Sequence, residues 1–160
     1  MTACYPVVIN GENCVTCPAI TAVAAVPTQV VYSPRIGWDA SAYSAVRRSG
    51  PVYTEFQLSA CVGTVVGLAN ARASNDPRSV PHGFYCYQNS GREFWSVAEN
   101  GVEKTTPVVR VPGTDLFRIE RRGELVTYFH NNTRVYVSTL PSIGQVVVVA
   151  CLYASGDGVG

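Results

Sequence analysis

Short runs of apolar, β-branched and aromatic residues recur along this chain, and Gly, Pro or Asn closes nearly every one of them. This spacing predicts strands near Gln29–Tyr32, Val52–Ser59, Thr64–Ala69, Gly83–Tyr87, Glu93–Glu99, Val108–Val111, Leu116–Arg121, Leu125–Phe129, Arg134–Ser138 and Gln145–Tyr153. No window keeps a 3.6-residue period, and DASAYSAVRR (39–48) allows a helical turn at most. Many short strands with regular turns dictate an all-β, antiparallel β-sandwich of the jelly-roll kind. The run QVVVVACLY has no polar alternation, so it belongs in the middle of a sheet that is covered on both sides.

The 160 residues form one domain-sized chain with its own core, read as an N-terminal Cys-containing arm over 1–33 and a sandwich over 34–160. A formal net charge of +1 gives no electrostatic footprint for a nucleic acid. The cations are eleven Arg and one Lys, Lys104. The apolar run from Ala19 to Val26 is too short to span a membrane, so no membrane insertion is expected. MTACYPVVINGENC lacks the basic n-region of a secretory signal.

The segment LFRIERRGELVTYFHNNTRVYVS (116–138) reads as a three-stranded meander. A loop at Arg122-Gly123 would set Arg121 opposite Glu124, Ile119 opposite Val126 and Phe117 opposite Tyr128. A second loop at Asn131-Asn132, where Asn tolerates positive φ, would set Tyr128 opposite Val135. The core face is then Phe117, Ile119, Val126, Tyr128, Val135 and Val137. The outer face is Arg118, Glu120, Leu125, Thr127, Phe129, Arg134 and Tyr136.

Cys61, Cys86 and Cys151 sit in strand-like runs as small buried hydrophobes. Cys4, Cys14 and Cys17 crowd around Asn10-Gly11, a type I′ hairpin signal that pairs Ile9 with Glu12 and Cys4 with Cys17. The Cys4–Cys17 pair falls on a non-hydrogen-bonded site, where a disulfide fits and would contribute roughly 3 kcal/mol in the chain-entropy model. Cys14-x-x-Cys17 also reads as half a zinc knuckle needing a ligand from His82, His130 or another chain, or as a redox motif without its βαβ context. A disulfide or free thiols is the favoured reading, with no cofactor and no metal.

Two histidines and no nucleophile elbow offer little for catalysis. Glu93 and Glu99 lie about 20 Å apart along one strand, too far for a glycosidase pair. The acids therefore read as solvated groups on sheet surfaces and turns. Aromatic rings beside Arg, Asn and Asp point instead to binding. Two places offer that mixture: the outer meander face with Arg118, Thr127, Phe129, Arg134 and Tyr136, and the loop 70–82 with Asn75, Asp76 and Arg78, near Tyr85 and Tyr87. Trp38 and Trp95 read as core or hinge aromatics.

The stretches GWDASAYSAVRRSGPVYTEFQL, GVEKTT, FRIERRGELVTYFHNNTRVYVS and VVVVACLYASGD, spanning about 35–157, resemble the concanavalin A-like lectin/glucanase sandwich in the variant of bacteriophage surface and tail proteins. The pattern falls on Phe117, Ile119, Arg121, Gly123, Val126, Tyr128, Asn131 and Tyr136. The chain lacks the Glu-x-Asp-x-x-Glu strand of the glucanases and the Asp/Asn calcium loop of legume lectins. The resemblance implies a non-enzymatic virion protein of a tail tip, tail fibre or baseplate. Its sandwich would contact host cell-surface polysaccharide, and its arm would dock onto other virion proteins. It also implies a homo-oligomer that leaves the cell by lysis. A structural decoration or tail-assembly protein is the alternative.

Overall fold

The computed structural model describes residues 7–9, 12–14, 37–38, 40–44, 46–58, 61–70, 76–154 and 159. Its strands are β1 (Val7–Ile9), β2 (Glu12–Cys14), β3 (Ala40–Tyr43), β4 (Val52–Phe56), β5 (Gly63–Ala69), β6 (His82–Asn89), β7 (Arg92–Glu99), β8 (Val102–Glu103), β9 (Val108–Val109), β10 (Phe117–Arg122), β11 (Leu125–His130), β12 (Thr133–Val137) and β13 (Val147–Leu152). The described helical structure is one 3₁₀ turn, Pro77–Ser79. The expected strand near Gln29–Tyr32, the Cys4–Cys17 pair and Asn75 lie outside the described residues.

Two antiparallel sheets make the sandwich. The small sheet runs β12-β11-β10-β4, and the large one runs β3-β13-β5-β6-β7-β8, with β9 also on the β7 edge. β13, the unbroken apolar run, lies between β3 and β5 and is buried along its whole length. The residues 40–43, expected at most in a helical turn, form edge strand β3 instead, because alternate residues Ala42 and Ser41 serve the two faces of the sheet. β1 and β2 form a separate hairpin with Ile9 opposite Glu12, the pairing that the sequence predicts.

The core between the sheets is an aromatic stack of Phe56, Phe84, Trp95, Phe117 and Tyr128, filled in by Val66, Leu68, Val97, Ile119, Val126 and Val148. Phe84 sits at its centre, 4.9 Å from Phe117 and 5.4 Å from Tyr128 between ring centroids. Each aromatic side chain buries a large apolar area, so this stack supplies much of the hydrophobic stabilisation. Cys61, Cys86 and Cys151 are buried thiols, as expected, and burial pushes the Cys151 thiol up to about 12.

The meander departs from its expected register in two places. The first loop is Gly123-Glu124, not Arg122-Gly123, so Arg122 opposes Leu125, Ile119 opposes Tyr128 and Phe117 opposes His130. Gly123 takes the positive φ of 61° at the first loop position, as a II′-type hairpin requires. Every pair slides by two residues, which preserves the faces. Phe117, Ile119, Val126 and Tyr128 are all buried. The second loop is Asn131-Asn132 as expected, with φ of 48° and 64°. A β-bulge then intervenes, so Tyr136 rather than Val135 faces Tyr128, and Thr127 rather than Val126 lines up with Val137.

Candidate functional site

The outer face of the small sheet gathers four of the five meander residues singled out from the sequence. Arg118 lies opposite Phe129, and its guanidinium carbon stands 4.3 Å from the centre of that ring. Phe129 opposes Arg134, and Thr127 opposes Glu120. Tyr136 does not belong there. The bulge turns it toward the core, 5.8 Å from the Tyr128 ring. The charges on this face are engaged with one another. Arg118 lies 3.9 Å from both Glu55 and Glu120, Arg122 lies 3.5 Å from Glu120, and Arg118 donates to the Asn132 side chain at 3.3 Å. Arg118 and Arg122 are thus stacked or paired within this face.

The outer face of the large sheet is different. Tyr85 and Tyr87 stand two residues apart on β6 and so share a face, and Phe94 is opposite Tyr87 on β7. Tyr85 and Tyr87 stack at 4.8 Å, Tyr87 and Phe94 at 5.8 Å, and Trp38 closes the row 6.4 Å from Tyr85. Trp38 also meets Tyr153 edge-on at 5.4 Å. Gly63 makes room for this. A Cβ there would come within 2.8 Å of the Tyr153 Cβ and 3.5 Å of the Trp38 ring. Beneath the row, Val65, Ala69, Val147, Val149 and Cys151 form a second apolar cluster with Val80. The Tyr85 and Tyr87 phenols are pushed above their ordinary range, first by burial and next by the Glu103 carboxylate.

The 3₁₀ turn walls this face at one end. Asp76 caps it and accepts the Arg78 backbone N–H at 2.9 Å. The same carboxylate takes the Arg78 guanidinium through Nε at 3.0 Å and Nη2 at 2.8 Å. These bonds hold the Asp76 carboxyl below the usual carboxylate range, the side-chain bond foremost. Arg78 packs over Gly101 in the β7–β8 turn, where any Cβ would strike it. Trp38, Val65, Pro77, Arg78, Tyr85, Ala98 and Gly101 thereby enclose a pocket of about 160 Å³. Asp76 and Arg78, expected at a ligand site, thus stand beside the aromatic row, and Trp38, expected in the core or a hinge, belongs to the row itself.

Two groups of buried charges depart from the expectation of solvated acids. Glu99 is 2 % exposed and accepts the Tyr128 hydroxyl at 3.0 Å inside the sandwich. At the other end, Arg110 is 4 % exposed and lies 3.0 Å from Glu93 and 4.0 Å from Asp115, and it donates to the Leu58 carbonyl. Asp115 in turn lies 2.8 Å from Nε2 of His130, whose ring packs 4.5 Å from Trp95. Cys61 donates its backbone N–H to Glu93 at 3.2 Å. These ions sit inside because each has an opposite charge or a hydrogen-bond donor. Glu99 and Tyr128 lie 29 residues apart and Asp115 and His130 15 apart, with no local pattern linking them. His82, expected in a loop, starts β6, is 2 % exposed, and donates from Nε2 to the Leu140 carbonyl at 2.9 Å. Among the described residues no group of three or more His, Cys, Asp or Glu could hold a metal ion. No described helix is long and apolar enough to cross a membrane.

No family model matches the chain, and no curated protein matches it. Solved structures align with most of the chain. The SPRY domain of human HERC1 aligns with a TM-score of 0.48 at 13% identity, over 75% of this chain and 79% of that one. A Bacillus licheniformis β-glucanase gives 0.38 at 11% identity, over 73% and 60%. Sheep galectin-11 in complex with glycerol gives 0.37 at 10% identity, over 81% and 100%. These are concanavalin A-like jelly rolls. Several other matches are glycoside hydrolases.

Proposed function

We propose that this chain is a non-enzymatic glycan-binding protein, and that the aromatic face of its large sheet is the binding surface. The observation that carries the reading is the row Trp38, Tyr85, Tyr87 and Phe94 with the Asp76–Arg78 pair at its end. Sugar rings stack on aromatic faces, and a rigid guanidinium and carboxylate can fix hydroxyl groups. Binding is favoured over hydrolysis because the acids nearest to a catalytic arrangement are committed elsewhere. Asp76 is bound by Arg78, Glu93 and Asp115 surround Arg110, and Glu99 holds Tyr128. The sequence resemblance supports a virion setting, at a tail tip, fibre or baseplate, with host surface polysaccharide as ligand and the N-terminal arm as the attachment to other virion proteins.

A structural decoration or assembly role is the second reading. What favours it is the exposed apolar edge of the large sheet, where Val102, Val108, Val109 and Val111 are all more than 40 % exposed. Labelled protein tested on intact bacterial cells, extracted surface polysaccharide and assembled particles separates the two. Saturable cell binding that free polysaccharide competes away is expected. Tyr87→Ala should weaken it by about 2- to 12-fold, the worth of one aromatic contact, while Arg134→Ala on the other sheet leaves it unchanged. Binding to particles with none to cells would move the assignment to the structural role.

A further inference from the structure

Arg121 is the large cation that the proposed glycan face does not use. It extends from the core side of β10, opposite Val126, and only 2 % of it is exposed. Its acceptors are all neutral. Nε and Nη2 donate to the Gly50 carbonyl at 3.1 and 2.9 Å, and Nη1 donates to the Gly144 carbonyl at 2.7 Å and to the Ser142 hydroxyl oxygen at 3.3 Å. Among the described residues, Arg110, the other buried arginine, sits against two carboxylates, whereas Arg121 has none within ion-pair distance. A guanidinium carries five N–H groups, and four are committed. One N–H of Nη2 has no acceptor among the described residues. The Ser142 hydroxyl accepts from Arg121 and has no acceptor for its own proton, and Ser142 is 4 % exposed. Burying a full charge without a counter-ion is costly unless something else supplies the opposite sign.

The surroundings leave room for that ion. Arg121 borders a cleft of about 280 Å³ lined by Ser49, Gly50, Gly123, Glu124, Ser142 and Gly144, among others. Three loops each place a left-handed glycine there: Gly50 at φ 79°, Gly123 at 61° and Gly144 at 79°. Where a side chain would begin on Gly50 or Gly123 there is open space, so bare backbone lines the cleft.

We propose that this cleft is an oxyanion-binding subsite fitted to a carboxylate. One carboxylate oxygen would take the remaining Nη2 proton, and the other would take the hydroxyl proton of Ser142. The ion would complete the charge balance of Arg121. Glu124, exposed at the rim, opposes the same anion and weakens its binding. The subsite uses no residue of the aromatic face, so it stands or falls separately from the glycan reading.

The test uses the full chain, labelled with nitrogen-15, titrated with sodium acetate, sodium D-glucuronate and, as the neutral control, D-glucose. The readouts are the Arg121 Nε–H resonance and the amides of Gly50, Gly123 and Gly144. Both carboxylates should produce saturable shifts that chloride competes away, and glucose should produce none. Glu124→Gln should tighten binding by about 2- to 5-fold, as expected for removing one exposed like charge. Ser142→Ala should weaken it by about 10-fold or more, the worth of one hydrogen bond to a charged acceptor. Neither variant removes Arg121, so both keep its bonds to the two loop carbonyls. Absence of saturation with either carboxylate, or identical affinities in the parent and both variants, would overturn the proposal and leave Arg121 as a pin between loops.

Discussion

At the scale of single residues, the interior of this sandwich is unusual in holding Glu99 against Tyr128. The hydroxyl is the donor that makes the buried carboxylate tolerable. Tyr128→Phe should therefore cost about 1–3 kcal/mol, more than loss of an exposed hydroxyl, because it leaves a buried acceptor unmet. Urea unfolding checks this as a lower midpoint with an unchanged slope. The tyrosines also set an alkaline limit. Burial raises the phenols of Tyr85, Tyr87 and Tyr128, and Glu103 adds to the first two and Glu99 to the third. Above the ordinary value of 10.0 the unfolded chain gives up these protons while the folded chain keeps them. The unfolded state then binds fewer protons, so stability is intact below about pH 10 and falls as pH rises beyond it. Phenolate absorbance should show these groups titrating later than free tyrosine. Glu103→Gln should bring Tyr85 and Tyr87 forward and leave Tyr128 in place.

At the scale of elements, strand positions were legible because burial alternates in β10 as the residue pattern does, and because β13 is apolar throughout. Register was less legible. Gly123 can serve either position of a two-residue loop, and the sequence does not say which. The faces survive either choice because the slide is even. The bulge ahead of Tyr136 left no such safety: one extra residue sends Tyr136 inward and Val137 outward. β3 gives no apolar run because its inward Ala42 alternates with Ser41 and with Tyr43, which packs on the outer cluster. On the facing strands β5 and β6, Gly67 opposes Gly83. A Cβ on Gly67 would collide with the His82 carbonyl oxygen and the Gly83 Cα. Both are backbone and cannot rotate away. Gly67→Ala should cost upwards of about 3 kcal/mol, at the level of overpacked core sites, and lower the melting temperature accordingly. Gly91→Ala, on an open turn with nothing within 4 Å, costs only the strain of its positive φ, about 1 kcal/mol.

At the scale of the whole molecule, the two ends of the sandwich are built on different chemistry. One end is closed by ions that meet each other: Arg110, Glu93, Asp115 and His130. The opposite end is closed by side chains that meet carbonyls. Arg121 holds Gly50 and Gly144, His82 holds Leu140, and Asn70 holds Ile143 and Gln145. The carbonyl-gripping arrangement could not be read from sequence, since the partners lie 58 to 75 residues apart for His82 and Asn70 and 71 for Arg121 and Gly50. The candidate sites reflect that divide. Asp76, Arg78 and the aromatic residues could be picked out by residue type, but their assembly on one face of the large sheet depends on Gly63, Gly101 and the pairing of β6 with β7.

A carbonyl is common to every amino acid. Restraints that grip Leu140, Ile143, Gly144 and Gln145 by their backbone leave the side chains at Leu140, Ile143 and Gln145 exempt from the duty of holding the loop in shape. Ile143 is 63 % exposed, so its identity is free of core packing as well. Such a loop can exchange its outward residues generation after generation while its path stays the same. The fixed anchors absorb the architectural demand, and the variable tips are left open to selection for whatever they meet.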